Sequence, residues 1–153
     1  MPVYYLDTSV ILKRYRDEEG TEVVDQLLLD SGPEDRFYTS FLSALEVRAA
    51  ISRLIRSGQL DRNAAERLLA RFLEDSHQVL QTWPLDNSIL ESAINVADRH
   101  GLRSGDAIHL ATAASIFQLA PELENILVSS DRDLLQAAIE SGMGVMDSQH
   151  PGK

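Results

Sequence analysis

The stretch on which the fold depends is Val3-Tyr4-Tyr5-Leu6-Asp7-Thr8-Ser9, a short apolar run that ends in a carboxylate and two hydroxyls. Valine, tyrosine and leucine favour extended backbone, and a short apolar run is typical of a central parallel strand. Open α/β sheets bind their ligands outside the carboxyl ends of the strands, so Asp7 stands where a functional group is expected. The alternative interpretation is that Asp7 or Thr8 caps the following helix.

The composition indicates one globular domain. The chain has 153 residues, 44% of them hydrophobic, and no cysteine. This length suits a single core, and the absence of cysteine excludes disulfides and thiolate chemistry. We expect one domain over residues 1–147 and a tail over residues 148–153. Met1-Pro2 leads directly into a strand, and no apolar run approaches the roughly 20 residues that span a membrane, so we expect a cytoplasmic protein without a membrane segment.

The formal net charge is −10. Taken alone, this charge argues against tight, nonspecific binding to nucleic acid. That objection weakens if some of the acids hold divalent cations or face a basic partner.

Apolar periodicity and Gly or Pro breaks divide the chain into alternating strands and helices. Besides the strand that begins at Val3, we expect strands at 36–39, 79–85, 125–129 and 144–146, and helices at 10–15, 21–29, 40–57, 62–76, 86–100, 104–119 and 131–141, with a polar break at Asp17-Glu18-Glu19-Gly20. Such alternation predicts an α/β fold, a three-layer α/β/α arrangement with a mostly parallel central sheet. The long helix pair between Ser40 and Ser76 is a candidate oligomer contact.

Three further acids are candidates to converge on Asp7 without a nearby compensating cation. Glu46 lies mid-helix among small and apolar neighbours, where a lone carboxylate is costly unless it is paired or binds a cation. Asp106 lies in the first turn of a helix that is apolar nearly all round, and Asp131 follows an apolar strand as Asp7 does. The alternative for Glu46 is a surface glutamate without a special role. For Asp106 it is stabilisation of the helix dipole with Ser104 as the cap, and for Asp131 it is an N-cap.

Taken together and in order, these motifs resemble the PIN-domain family, and within it the VapC-type toxin ribonucleases of type II toxin-antitoxin systems. The matching stretches are Tyr5-Leu6-Asp7-Thr8-Ser9-Val10, Ser43-Ala44-Leu45-Glu46-Val47, Leu102-Arg103-Ser104-Gly105-Asp106-Ala107-Ile108-His109-Leu110-Ala111-Thr112-Ala113 and Leu127-Val128-Ser129-Ser130-Asp131-Arg132-Asp133-Leu134. The ordered set is far more specific than any one motif. The chain departs from the family pattern in its marked acidity and at Ser129, where the family often has threonine.

The resemblance implies an endoribonuclease that depends on Mg²⁺ or Mn²⁺, forms a homodimer and is blocked by a cognate antitoxin. It assigns Asp7, Glu46, Asp106 and Asp131 to the catalytic, metal-binding cluster, Ser9 and Ser129 to hydroxyls that orient it, and Asp133 to an outer contribution. Hard divalent cations prefer carboxylate oxygens, so the chemistry fits independently. From the charge we further expect the antitoxin to carry a basic inhibitory segment.

Arg53 and Arg103 are the leading candidates for contacts with RNA phosphates. His109, one turn after Asp106, is assigned a structural role, with a supporting contact to one of the metal-binding acids as the alternative. His100 is expected to be an exposed helix residue. Alternative functions are a phosphatase or phosphoacceptor built on Asp7, a non-toxin metal-dependent PIN-like nuclease, and a noncatalytic acidic binding module. A phosphatase of that kind would need an acid two residues after Asp7, where Ser9 stands.

Overall fold

A computed structural model describes residues 1–16 and 19–150, in which strands and helices alternate as predicted. The elements are β1 (Val3–Leu6), α1 (Thr8–Tyr15), α2 (Thr21–Leu29), β2 (Arg36–Ser40), α3 (Phe41–Arg56), α4 (Arg62–Gln78), β3 (Leu80–Trp83), α5 (Asn87–His100), α6 (Ser104–Phe117), β4 (Asn125–Ser129), α7 (Arg132–Glu140) and β5 (Gly144–Asp147). The ends differ from the predicted ones by at most two residues. The polar break at 17–20 and the tail at 148–153 lie partly outside the described residues.

The strands form one sheet in the order β3-β2-β1-β4-β5, and every pair is parallel. The predicted α/β class with a parallel sheet is therefore confirmed. From β1 the chain proceeds outward through β2 to β3, then returns to the other side of β1 to form β4. The strand order thus reverses between β1 and β4, and such a switch point opens a crevice at the carboxyl ends of the strands.

Alternate side chains of β1 enter two separate cores, one on each face of the sheet. Leu6 packs with Val10, Val47 and Phe72 of α1, α3 and α4. Tyr5 packs on the opposite face, in the cluster that α6 and α7 complete. This period-two alternation in a strand covered on both faces confirms the three-layer arrangement.

Helix caps account for several polar residues at element boundaries. The side chains of Asp7, Asp61, Asp86 and Asp131 each accept a hydrogen bond from a backbone N–H in the first turn of the following helix, an arrangement worth about 1 kcal/mol. The suggestion that Ser104 caps α6 is wrong, because Ser104 is the first helical residue and Arg103 occupies the cap position without a side-chain bond.

No helix in residues 1–16 and 19–150 is both long enough and apolar enough to cross a bilayer.

Candidate active site

The predicted acids gather at the switch point between β1 and β4. Asp7 directly follows β1, and Asp131 follows β4 by two residues. Leu6 and Val128 are register partners, so the two strands end side by side. Two strand-to-helix junctions therefore meet at one edge of the sheet.

Asp7 is held on both of its oxygens. Its Oδ1 accepts hydrogen bonds from Ser9 Oγ at 2.6 Å and from the backbone N–H of Val10 at 3.1 Å. Its Oδ2 accepts from Ser129 Oγ at 2.6 Å, across the junction between β1 and β4. Burial raises the pKa of Asp7, although the charge of His109 and the hydrogen bonds from Ser129 and Ser9 act in the opposite sense. Three hydrogen bonds thus fix the orientation of the carboxylate, and neighbouring cationic charge would stabilise its ionised form.

Glu46 enters the crevice from α3 and is paired, as the cost of a lone carboxylate predicts. Its Oε1 lies 2.8 Å from Thr8 Oγ1 and 2.8 Å from His109 Nε2. Partial burial would raise the pKa of Glu46, but the hydrogen bond and charge of His109, the Thr8 hydroxyl and the charge of Arg53 together lower it. Glu46 is therefore held as a carboxylate.

Asp106 and Asp131 face each other and share one cationic neighbour. Burial and the repulsion of Asp131 raise the pKa of Asp106 to about 6, with Arg103 acting in the opposite sense and Asp7 adding to the rise. Arg103 Nη2 lies 3.3 Å from Asp131 Oδ2 and 3.7 Å from Asp106 Oδ2. The expectation that the cluster lacks a nearby compensating cation is therefore wrong. The Arg103 side chain is 83% exposed, however, and such ion pairs contribute at most about 1 kcal/mol.

A family model described as the PIN domain matches residues 4–140. The chain belongs to the PIN-domain family. It is 34% identical to Ribonuclease VapC47 of Mycobacterium tuberculosis (strain CDC 1551 / Oshkosh) over 142 residues, which cover 90% of this chain and 91% of the relative.

Solved structures share the PIN fold. VapBC-1 from nontypeable Haemophilus influenzae matches with a TM-score of 0.65 and 15% identity, covering 97% of this chain and 99% of that one. FitAcB from Neisseria gonorrhoeae matches with a TM-score of 0.66 and 22% identity, covering 96% of this chain and 99% of that one.

Two residues predicted for the PIN site stand apart from its hydrogen-bonded network. Asp133 is exposed in the first turn of α7 and makes no hydrogen bond or ion pair within the described residues. Arg53 is exposed on α3 and acts on Glu46 through its charge alone. Ser9 and Ser129, in contrast, contact Asp7 directly, and Ser130 Oγ donates to Ser9 Oγ at 3.0 Å.

Sequence reasoning missed one of the two residues that support Glu46. Thr8 was considered only as a cap, yet its hydroxyl contacts the Glu46 carboxylate. For His109 a supporting contact was the second alternative to a structural role, and its ring joins Glu46 to the Tyr5 hydroxyl. The only local signal for His109 was its place one turn after Asp106. The prediction that His100 is exposed is also wrong, because its side chain is 7% exposed. His100 Nδ1 lies 3.0 Å from Glu140 Oε2.

The donor set of the cluster fits a hard divalent cation, since it consists of carboxylate oxygens in excess of positive charge. In the arrangement seen here, no three Asp, Glu or His side chains of residues 1–16 and 19–150 are placed to hold one ion together. Asp106 and Asp131 instead face the Arg103 guanidinium. Metal binding would thus require these side chains to turn from Arg103, which is exposed enough to move into solvent.

Proposed function

We propose that this protein is a metal-dependent endoribonuclease of the VapC type, the cytoplasmic toxin of a type II toxin-antitoxin system. The observation that carries the proposal is the meeting of Asp7, Glu46, Asp106 and Asp131 at the β1–β4 switch point of a PIN fold. The similarity to a curated ribonuclease over 90% of the chain supports the reaction class.

The four carboxylates would hold Mg²⁺ or Mn²⁺. Bound there, the cation would supply activation of water and neutralisation of the phosphate charge. The chain's own part is to keep the ligand oxygens in place: Ser9 and Ser129 hold Asp7, and Thr8 and His109 hold Glu46. In-line attack of water on phosphorus would then cleave the RNA backbone without a protein nucleophile.

Two arginines beside the cluster would bind the RNA backbone. The exposed Arg103 guanidinium can exchange its carboxylate partners for a phosphate oxygen, a ligand that its planar fork binds well. Arg53 lies on α3, close enough for its charge to act on Glu46. These contacts would offset the net charge of −10 where the RNA must approach.

The alternative of a phosphoacceptor built on Asp7 fits the structure poorly. A phosphatase of that kind needs a second acid two residues after Asp7. That position holds Ser9, whose hydroxyl donates a hydrogen bond to Asp7 Oδ1.

The function is tested by incubating total RNA with the pure protein and sequencing the cleavage products. We expect site-selective cleavage with Mn²⁺ or Mg²⁺, loss of cleavage in EDTA and recovery when the metal is restored. Undiminished cleavage in EDTA would contradict the metal dependence. If neither metal yields any cleavage at any concentration tested, the noncatalytic binding module becomes the better interpretation.

A further inference from the structure

A row of hydrogen-bonded side chains lies behind Glu46 and runs away from the acidic cluster into the core. Tyr5 is fully buried on β1, and His109 is buried on α6. The Tyr5 hydroxyl lies 2.7 Å from His109 Nδ1, and His109 Nε2 lies 2.8 Å from Glu46 Oε1. Three elements that are distant in sequence are joined by this row.

The chemistry of the groups determines which atom donates in each bond. An ionised carboxylate can only accept, so His109 donates to Glu46 through Nε2–H. In a neutral ring the opposite nitrogen, Nδ1, accepts from the Tyr5 O–H, and in a protonated ring Nδ1–H donates to the Tyr5 oxygen. In both cases the Tyr5 hydroxyl holds the imidazole in the orientation that points Nε2–H at Glu46.

The two oxygens of Glu46 have different surroundings. Oε1 is engaged by Thr8 and His109. Within the described residues no donor hydrogen-bonds to Oε2, which lies 3.6 Å from the point where a Cβ on Gly105 would stand, next to Asp106 in the first turn of α6. One oxygen is thus held from the core side, and the other lies toward Gly105, the neighbour of Asp106, without a hydrogen bond from the described residues.

We propose that His109 is a positioning residue that orients the Glu46 carboxylate, with Tyr5 holding the imidazole, so that Oε2 is presented to the cation. This inference rests on the proposed function, because it takes Glu46 to be a metal ligand. A glutamate side chain rotates about three bonds, and it loses this orientation when its buried partner is removed. Mutation of a residue that hydrogen-bonds to a metal ligand typically lowers the metal affinity by about 10- to 100-fold.

The test measures Mn²⁺ binding alone, by calorimetry without RNA, alongside RNA cleavage. His109→Leu removes the hydrogen bonds of the ring with Tyr5, Thr8 and Glu46, and we expect the Mn²⁺ dissociation constant to rise about tenfold. His109→Gln keeps an amide donor for Glu46 and should recover most of the affinity. Tyr5→Phe removes the hydrogen-bond partner of Nδ1, and its Mn²⁺ affinity should fall between those of wild type and His109→Leu. This variant also carries the test if His109→Leu fails to fold.

The matched control is Ile116→Val, which trims a buried side chain on the same helix away from the site. It should lower stability and leave Mn²⁺ affinity unchanged. Wild-type Mn²⁺ affinity in His109→Leu would overturn the inference. Equal losses of Mn²⁺ affinity in His109→Leu, His109→Gln and Ile116→Val would also overturn it, because they would indicate a general loss of stability. If the wild-type chain binds Mn²⁺ and cleaves RNA while His109→Leu matches it, only the positioning role fails. A wild-type chain that does neither would overturn the proposed function as well.

Discussion

At the level of single residues, Asp7 and Asp131 divide their two oxygens between different partners. In each, Oδ1 accepts the capping N–H of the following helix. Oδ2 faces across the crevice, to Ser129 in the case of Asp7 and to Arg103 in the case of Asp131. Capping and membership of the acidic cluster are therefore compatible at both positions, although they were opposed as alternatives for the sequence.

The raised pKa of Asp106 predicts a pH-dependent stability of the metal-free protein. The folded pKa of about 6 exceeds the ordinary value of 3.8, so the folded state binds this proton more tightly than the unfolded state. The contribution of Asp106 to the free energy of unfolding is most favourable below about pH 4, and it is lost as pH rises through 6. Asp106→Asn should raise the free energy of unfolding by roughly 1–2 kcal/mol at pH 8, and by less at pH 4.5.

Urea unfolding in EDTA at pH 4.5 and pH 8 measures this difference. Asp98→Asn, which removes an exposed carboxylate of α5, is the control and should change stability little at either pH. An Asp106→Asn effect that is equal at the two pH values would show that charge repulsion is not its cause.

Arg103 should affect metal and RNA in opposite directions, because it contacts the carboxylates that the cation needs and is also a proposed phosphate contact. Arg103→Ala should tighten Mn²⁺ binding by about two- to fivefold, the scale of an exposed ion pair, and weaken RNA binding. Calorimetry measures the Mn²⁺ affinity. The RNA affinity is measured with Arg103→Ala combined with Asp7→Asn, so that the RNA is not cleaved during the experiment. Arg99→Ala, at the exposed end of α5, is the control. If Arg103→Ala changes the affinities for Mn²⁺ and RNA in the same direction, Arg103 does not compete with the cation for the carboxylates.

At the level of the elements, the α7 N-terminus separates the capping task of Asp131 from its proposed metal task. Asparagine caps about as well as aspartate, so Asp131→Asn should keep the melting temperature or raise it by relieving repulsion, while cleavage falls at least about tenfold. Asp131→Ala should additionally lose about 1 kcal/mol of stability.

Asp86 provides the matched comparison, because it caps α5 in the same way and lies outside the acidic cluster. Asp86→Ala should lose about 1 kcal/mol and cleave RNA at the wild-type rate. Wild-type cleavage by Asp131→Asn would return Asp131 to a purely capping role.

The elements were predictable because their signals are local. Gly101 ends α5 in the left-handed conformation, and the apolar run Asn125–Ser129 is a strand as predicted. Pairings across the chain have no such signal. Glu46 meets Thr8 and His109 over separations of 38 and 63 residues, and only the order of strands around β1 brings α3 and α6 together. Asp133 was assigned an outer contribution from its local position alone. It is exposed in the first turn of α7, and its role stays a prediction.

At the level of the whole molecule, two large apolar side chains in the first half of α3 remain exposed. Phe41 is 60% and Leu45 65% exposed, and they lie one turn apart. We predict a homodimer to which this part of the helix pair between Ser40 and Ser76 contributes. Light scattering at micromolar concentration should give twice the chain mass, and Phe41→Glu with Leu45→Glu should give a monomer. Leu119→Glu, at another exposed apolar position, should leave the dimer intact; a monomeric wild type would refute the prediction.

The net charge of −10 and the acidic cluster together favour a basic ligand at the crevice. Acids focused in a cleft raise the local concentration of cationic groups. Arg103 already demonstrates the chemistry, because its guanidinium lies against Asp131 and Asp106. An arginine from an antitoxin could replace it there, with a planar fork that binds carboxylates through paired hydrogen bonds.

Such an arginine and a divalent cation would compete for the same oxygens, and linkage then requires each to weaken the binding of the other by the same factor. Calorimetric titration of an arginine-containing antitoxin tail should therefore give an affinity about tenfold lower in saturating Mn²⁺ than in its absence, within the usual range of coupling between sites. Asp131→Asn should reduce this difference, because it removes the charge that both ligands share. Equal affinities in the two conditions would mean that the tail inhibits by covering the substrate groove, without reaching the carboxylates.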